Sequence, residues 1–281
     1  MGTEAPPPLG IIAGGGTLPR RIADAARGAR RPVFVIALQG QTDPATVVDL
    51  PHAWVKLGEA GRAIAELKQA GAVDLVMAGP VRRPSWSEVG LDWRGAQIVA
   101  RIGARALGDD GLLSAVSREL EGEGFHLVGA DAVLSSAHVV AGTLSRHAPD
   151  AQALTDIWRG IEVARALGRI DVGQAVVVQQ GLVLGVEAIE GTDALLDRVG
   201  ALARGGVGGV LIKIAKPQQD RRVDLPTIGA DTVERAAAAG LRGIAVEAGG
   251  TLVIDREACI ATVDRLGLFL VGIDPTETEG R

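Results

Sequence analysis

The sequence predicts an α/β protein of two domains, the first Rossmann-like with a mostly parallel sheet, the second a mixed sheet with helices. Three observations carry this expectation. Short aliphatic runs alternate with helix-length amphipathic segments through the first half, the pattern of strands buried on both faces by crossover helices. In the second half, two apolar runs meet at one glycine in "QAVVVQQGLVLGV" (174–186), a hairpin that interrupts clean βαβ order. Apolar residues are 47 % of the 281, yet aromatics are 2 % and tyrosine is absent. The cores must therefore be built from Ala, Val, Leu and Ile.

The elements follow in order. "LGIIA" (9–13) is a strand that ends in Gly14-Gly15-Gly16, and a helix follows over about 19–27. "PVFVIAL" (32–38), "AWVKL" (53–57) and "DLVMAG" (74–79) are further strands. Between the last two, Ile64, Leu67 and Ala70 recur at helical spacing and Gly71 stops the helix. Helices are expected near 94–106 and 110–122. The small, polar stretch 135–152 marks a domain boundary. It gives an N-terminal, nucleotide-side domain over 1–134, with 1–8 as a tail, and a C-terminal, catalytic domain over 135–281. That second domain should hold a helix (155–168), the hairpin, a helix (192–203) capped by Thr192 or Asp193, and a strand (209–216). A helix (229–240), a strand (242–248), a short strand running into a helix (256–266), and a last strand (268–273) complete it.

Composition removes several classes of function. The net charge is −5 and no basic block is interleaved with aromatics, so nucleic acid is not an expected partner. One cysteine, Cys259, makes no internal disulfide and suits a reducing compartment. "MGTEAPPPLG" lacks the basic start of a signal peptide. The longest uncharged apolar stretch, 172–186, is shorter than the roughly 20 residues that span a bilayer. A soluble, cytoplasmic protein is expected, with attachment to a membrane surface left open. The four histidines, His52, His126, His138 and His147, show no ligand spacing. No P-loop or G-x-S-x-G elbow occurs.

The Gly14–Gly16 turn joins a strand to a helix. Its glycines suit close approach to a phosphate at a helix N-terminus, or simply a tight turn. It is a poor dinucleotide fingerprint, because Pro19 stands where the third glycine belongs and Gln39 and Gln41 stand where a ribose-binding acid would. A nicotinamide enzyme is therefore disfavoured. Gly79, followed by Arg82 and Arg83, ends another strand at the same sheet edge; the arginines suit phosphate or a solvated turn. Asp109 and Asp110 suit a helix cap or, less simply, a metal. Glu190, Thr192 and Asp193 in "EGTDA" suit a cap or a ligand equally.

The densest chemistry lies in "KIAKPQQDRRVDLPTIG" (213–229). Of 29 basic residues only four are lysine, and two of these, Lys213 and Lys216, lie here. Arg221, Arg222 and Asp224 follow. Oxygen ligands, one or two carboxylates with substrate phosphate, are what Mg²⁺ prefers, and a neighbouring cation keeps such a carboxylate ionised. The alternative is a solvated loop.

At these residues the chain resembles the LpxI-type UDP-2,3-diacylglucosamine pyrophosphatases of lipid A biosynthesis. The resemblance runs through "LGIIAGGGTLP", "AGPVRRP", "GDDGLLSAV", "IDVGQAVVV", "GLVLGVEAIEGTDALL", "KPQQDRRVDLPTIG" and "LGLFLVGIDP". It implies two α/β domains that enclose a lipid between them, and a Mg²⁺-dependent hydrolase. Water would attack the α-phosphorus of the UDP-lipid to give UMP and 2,3-diacylglucosamine 1-phosphate. The family's catalytic aspartate falls on Asp224, as a Mg²⁺ ligand or as the group that orients water. Gly14, Gly15 and Gly16 would sit near the nucleotide, and Glu190, Thr192 and Asp193 near the phosphosugar. Gly79, Arg82, Lys213, Lys216, Gln219, Arg222 and Thr227 complete the substrate-binding candidates. The expected partners are a UDP-linked glycolipid, transient contact with the inner membrane surface from the cytoplasmic side, and a possible second copy of the chain. The competing reading is a non-catalytic module that binds a nucleotide or UDP-lipid.

Overall fold

A computed structural model describes residues 6–82, 90–102, 109–134 and 139–276. The chain is α/β and divides into two compact units. The first comprises 1–134 together with 220–224; the second comprises 135–219 and 225–281.

The first unit holds one parallel sheet in the order β3-β2-β1-β4-β5. Its strands are β1 (Leu9–Ala13), β2 (Val33–Leu38), β3 (His52–Val55), β4 (Asp74–Ala78) and β5 (His126–Leu127). The two-residue β5 was not expected from the sequence, because so short a strand has no periodicity to read. Helix α1 (Leu18–Gly28) packs on β1 and buries Ile22, Ala23 and Ala26. Helices α2 (Ala60–Gln69), α3 (Trp93–Ile102) and α4 (Asp109–Gly122) pack in succession, with α2 also against β2 and β3. Ile36, Leu38, Ile64, Leu67, Leu75, Leu120 and Phe125 form one core cluster of this unit. A short helix, α5 (Ala130–Val133), ends it.

Val223 belongs to that same cluster although it comes from the far end of the sequence. Burying a valine contributes about 1.5–3 kcal/mol, and Arg222 Nη1 adds a bond to Glu121 (2.7 Å) at its rim. The 220–224 segment, expected within the second domain, groups with the first.

The second unit holds a mixed sheet, β6-β13-β11-β9-β7-β8. Strands β9 (Val210–Lys213), β11 (Gly243–Glu247) and β13 (Phe269–Ile273) run parallel; β7 (Ala175–Gln179) is antiparallel to β9, and β8 (Leu182–Val186) to β7. The edge strand β6 (Gly142–Thr143) is antiparallel to β13, and β10 (Thr227–Ile228) pairs with β12 (Leu252–Val253) separately. Alternate residues feed two cores. Val176, Val178, Val210 and Ile212 face the helix α6 (Ala151–Arg169); Val177, Leu211, Ile244 and Val246 join the cluster formed with α7 (Gly191–Val199), α8 (Ala230–Ala238) and α9 (Arg256–Leu266). Two buried faces explain why these strands are apolar at successive positions until their last residue. Gly160 of α6 has no room for a side chain, since a Cβ would stand 2.5 Å from Ile212 Cδ1.

The β7–β8 hairpin turns on Gln180 and Gly181, both at positive φ (52° and 77°), as a two-residue turn of this hand requires. Asp156, buried in α6, accepts from both turn amides (3.0 and 2.7 Å). Asp156→Ala is expected to cost about 1–3 kcal/mol by removing the acceptor from two ordered donors. Urea unfolding of the variant against the wild type checks this through the midpoint.

Candidate active site

The strand order puts β1 between β2 and β4, so the carboxyl ends of β1 and β4 flank the switch point where open α/β sheets take ligands. Gly14, Gly15, Gly16, Gly79 and Arg82 are brought together here. Gly14 N donates to Ala78 O and Gly15 N to Pro80 O, each at 2.8 Å. Gly79 has φ 85°, and a Cβ on it would stand 2.2 Å from Gly15 O. These glycines thus let two loops meet backbone to backbone, and the amides of Gly14 and Gly15 are spent in doing so. Donors for an anion come instead from the next amides, at the start of α1. Thr17 makes no side-chain cap there, and the helix dipole is positive. Gln41, one of the two glutamines in place of a ribose-binding acid, brackets the backbone of Arg82: Arg82 N donates to its Oε1 (2.8 Å) and its Nε2 donates to Arg82 O (3.1 Å). The Arg82 side chain is left exposed.

In the 220–224 segment, Arg222 binds Asp220 through Nε (3.0 Å) and Nη2 (2.7 Å), besides Glu121. The Arg222 guanidinium beside Asp220 holds that carboxyl below its usual range. Asp220 and Glu121 in turn raise the affinity of Arg222 for its proton. Three of the five guanidinium N–H groups of Arg222 are thus engaged by acids. Asp224 is half-buried, and its amide donates to Asp220 O (3.1 Å), closing the turn that Val223 anchors.

Within the second unit, Lys213 ends β9 and Thr192 opens α7. Lys213 Nζ donates to Thr192 Oγ1 (2.9 Å) and to Thr227 O (3.0 Å), and Thr192 Oγ1 donates to Glu187 Oε1 (2.9 Å). Lys213, Thr192 and Glu187 are 7 %, 9 % and 7 % exposed, so a charged line is set into the edge of an apolar sheet. Lys216 forms a tight pair with Asp171 (2.5 Å), and its amide donates to Gln219 Oε1 (2.9 Å). At the start of α7, Glu190 pairs with Arg198 (2.7 Å), whose hydrogen bond holds its carboxyl below the usual range. Asp193 stands at the surface 3.7 Å from Arg235. The expected cap at Thr192 or Asp193 is not made: the helix begins at Gly191, and Thr192 is turned inward to Lys213 instead.

Sequence reading passed over Glu187 and Glu247. Each is a lone carboxylate at the end of an apolar strand, the one signal that could have found it, since such residues are seldom buried without a partner. Glu247 Oε2 accepts from Ala215 N (2.9 Å), and Gly250 leaves the space its carboxyl occupies.

No group of three His, Cys, Asp or Glu side chains suited to a metal occurs among the described residues. A Mg²⁺ ion that keeps several waters takes as few as one or two carboxylates. His52 is tied to Leu50 O (2.8 Å) and stacks edge-on against Trp54, and His126 stands at the surface 3.7 Å from Asp74. Asp109 and Asp110 open α4, and their side chains, with Arg83 and His138, lie outside the described residues. Burial pushes the Cys259 thiol up to about 11. A thiol reagent at pH 8 is expected to leave the folded protein unmodified and to react once denaturant is added; prompt native labelling would show that the site opens.

The descriptions "LpxI N-terminal domain" and "LpxI C-terminal domain" match residues 8–137 and 140–271. The chain belongs to the LpxI family. A relative from Caulobacter vibrioides, named UDP-2,3-diacylglucosamine pyrophosphatase LpxI, is 45 % identical over 276 residues, which cover 96 % of this chain and 98 % of the relative. This LpxI-family chain also shows a faint likeness to solved biotin carboxylases. One, the biotin carboxylase subunit of pyruvate carboxylase, is 14 % identical at TM-score 0.25, over 60 % of this chain and 34 % of that one. Another, from Campylobacter jejuni, is 13 % identical at TM-score 0.24, over 69 % and 41 %. Scores this low carry no argument. Both LpxI domains are present in order, and the α/β architecture accords with them.

Proposed function

We propose that the protein hydrolyses the pyrophosphate of UDP-2,3-diacylglucosamine to UMP and 2,3-diacylglucosamine 1-phosphate, in lipid A biosynthesis. The near full-length match to a pyrophosphatase of that name carries the reading. In the proposed reaction water attacks the α-phosphorus, and Asp224 orients it or holds Mg²⁺. The ion, when bound, would supply charge stabilisation at the phosphate oxygens. Lys213 supplies a buried positive charge to a phosphate oxygen, preorganised by Thr192 and Thr227 O. Gly16 and the first amides of α1 serve the nucleotide end. Among the described residues no helix is long and apolar enough to cross a membrane. In this reading the lipid substrate is met by transient contact at the inner membrane surface, from the cytoplasmic side.

Purified protein incubated with UDP-2,3-diacylglucosamine and Mg²⁺ should release UMP. EDTA should abolish the release and added Mg²⁺ restore it. Full turnover in chelator would remove the metal from the mechanism, and tight binding without turnover in any divalent metal would identify a non-catalytic module instead.

A further inference from the structure

The line Lys213–Thr192–Glu187 contains one member that anion binding alone does not explain. An ammonium only donates, so Thr192 Oγ1 must accept from Lys213 and send its own proton to Glu187 Oε1. The carboxylate is itself held, because Gln174 N donates to its other oxygen (3.2 Å). Gly173 lets the two segments close up, since a Cβ there would stand 2.1 Å from Glu187 O. Both acceptors of Lys213 are neutral oxygens, Thr192 Oγ1 and Thr227 O. The third N–H has no acceptor among the described residues. Direct contact with Glu187 would pair the ammonium fully. A hydroxyl placed between them keeps the carboxylate close while leaving part of the positive charge uncompensated. Such a buried cation is costly to keep, and an arriving anion relieves the cost.

We infer that Glu187 is a positioning residue for the hydrolysis: it locks the Thr192 hydroxyl as an acceptor, so that Lys213 holds its remaining N–H for a phosphate oxygen of the substrate. The inference rests on the hydrolase reading. Charged groups nearby are Glu247, at the end of the neighbouring strand β11 and bound to Ala215 N, and Lys216, paired with Asp171. Neither is bound to Thr192 or Lys213.

The test compares wild type, Glu187→Gln, Thr192→Val and Thr192→Ser for UMP release from UDP-2,3-diacylglucosamine with Mg²⁺, alongside melting temperatures. Thr192→Val and Glu187→Gln should each lower kcat about tenfold or more, with KM changed by less than about threefold, since the lost contact strengthens as charge develops. Thr192→Ser, which keeps the hydroxyl, should recover kcat to within about threefold of wild type. If Thr192→Val does not fold, Glu187→Gln decides. Wild-type kcat in Glu187→Gln overturns the inference, as does a loss that merely follows a lowered melting temperature. Equal defects in Thr192→Ser and Thr192→Val do so too, because packing and not the hydroxyl would then matter. A wild type that releases no UMP overturns the hydrolase reading and this inference together.

Discussion

Asp224→Ala should lower kcat for UMP release by about 10²–10⁴-fold, the range for a positioned acid–base group. A melting temperature recorded alongside separates a loss of chemistry from a loss of fold. The side chain is half-buried, while the turn around it is held by other groups: the Asp224 amide, the Asp220 carbonyl and Val223 in the core. These backbone and apolar contacts do not involve the carboxylate itself. Asp224→Asn is the sharper variant, since it keeps the shape and one oxygen. If Asp224 holds Mg²⁺, Asn should be partly rescued by raising Mg²⁺; if it works on the water's proton, no concentration of Mg²⁺ should help. Wild-type turnover in both variants would sink the assignment.

Gly79→Ala should be the most damaging single methyl in the first unit. Gly79 sits at φ 85°, where a Cβ costs about 1–2 kcal/mol. That Cβ would also stand 2.2 Å from Gly15 O. Backbone must move to relieve the clash, and overpacking of this kind costs a further 1–3 kcal/mol or so. The sum, about 2–5 kcal/mol, should lower the melting temperature by roughly 4–20 °C, at about 2–4 °C per kcal/mol for a chain of this class. Turnover should fall as well, because the same contact sets the amides at the start of α1. A variant that melts within 2 °C of wild type, with unchanged KM, would show that the two loops do not need their close approach.

These two residues show how far the sequence was legible. Gly79 could be read as the end of an apolar strand, at the same sheet edge as the glycine-rich turn. The consequence that matters could not be read. The glycine's partner is Gly15, 64 positions away, and only the parallel pairing of β1 with β4 brings them together. That pairing also uses up the amides that the glycine-rich turn seemed to offer. Asp224 stood out as an acid between Val223 and Leu225-Pro226, and the family pattern pointed to it. Its grouping with the first unit depends on Val223 entering a core made by Leu120, Phe125 and other residues far upstream.

Arg222 and Thr192 mark the same limit from the other side. Arg222 looked like a phosphate clamp, and the structure engages it with Asp220 and Glu121, one a neighbour in sequence and the other 101 residues away. Thr192 suited a helix cap or a ligand equally; it makes no cap and joins Glu187 to Lys213. Periodicity, glycine placement and the spacing of apolar residues are local. They were enough to determine an α/β chain, most of its elements and the hairpin at Gly181. Which charges meet was decided only by the tertiary structure. Strand order and register bring together side chains that no local pattern relates, and in a buried sheet edge a carboxylate or an ammonium must find its partner wherever the fold supplies one.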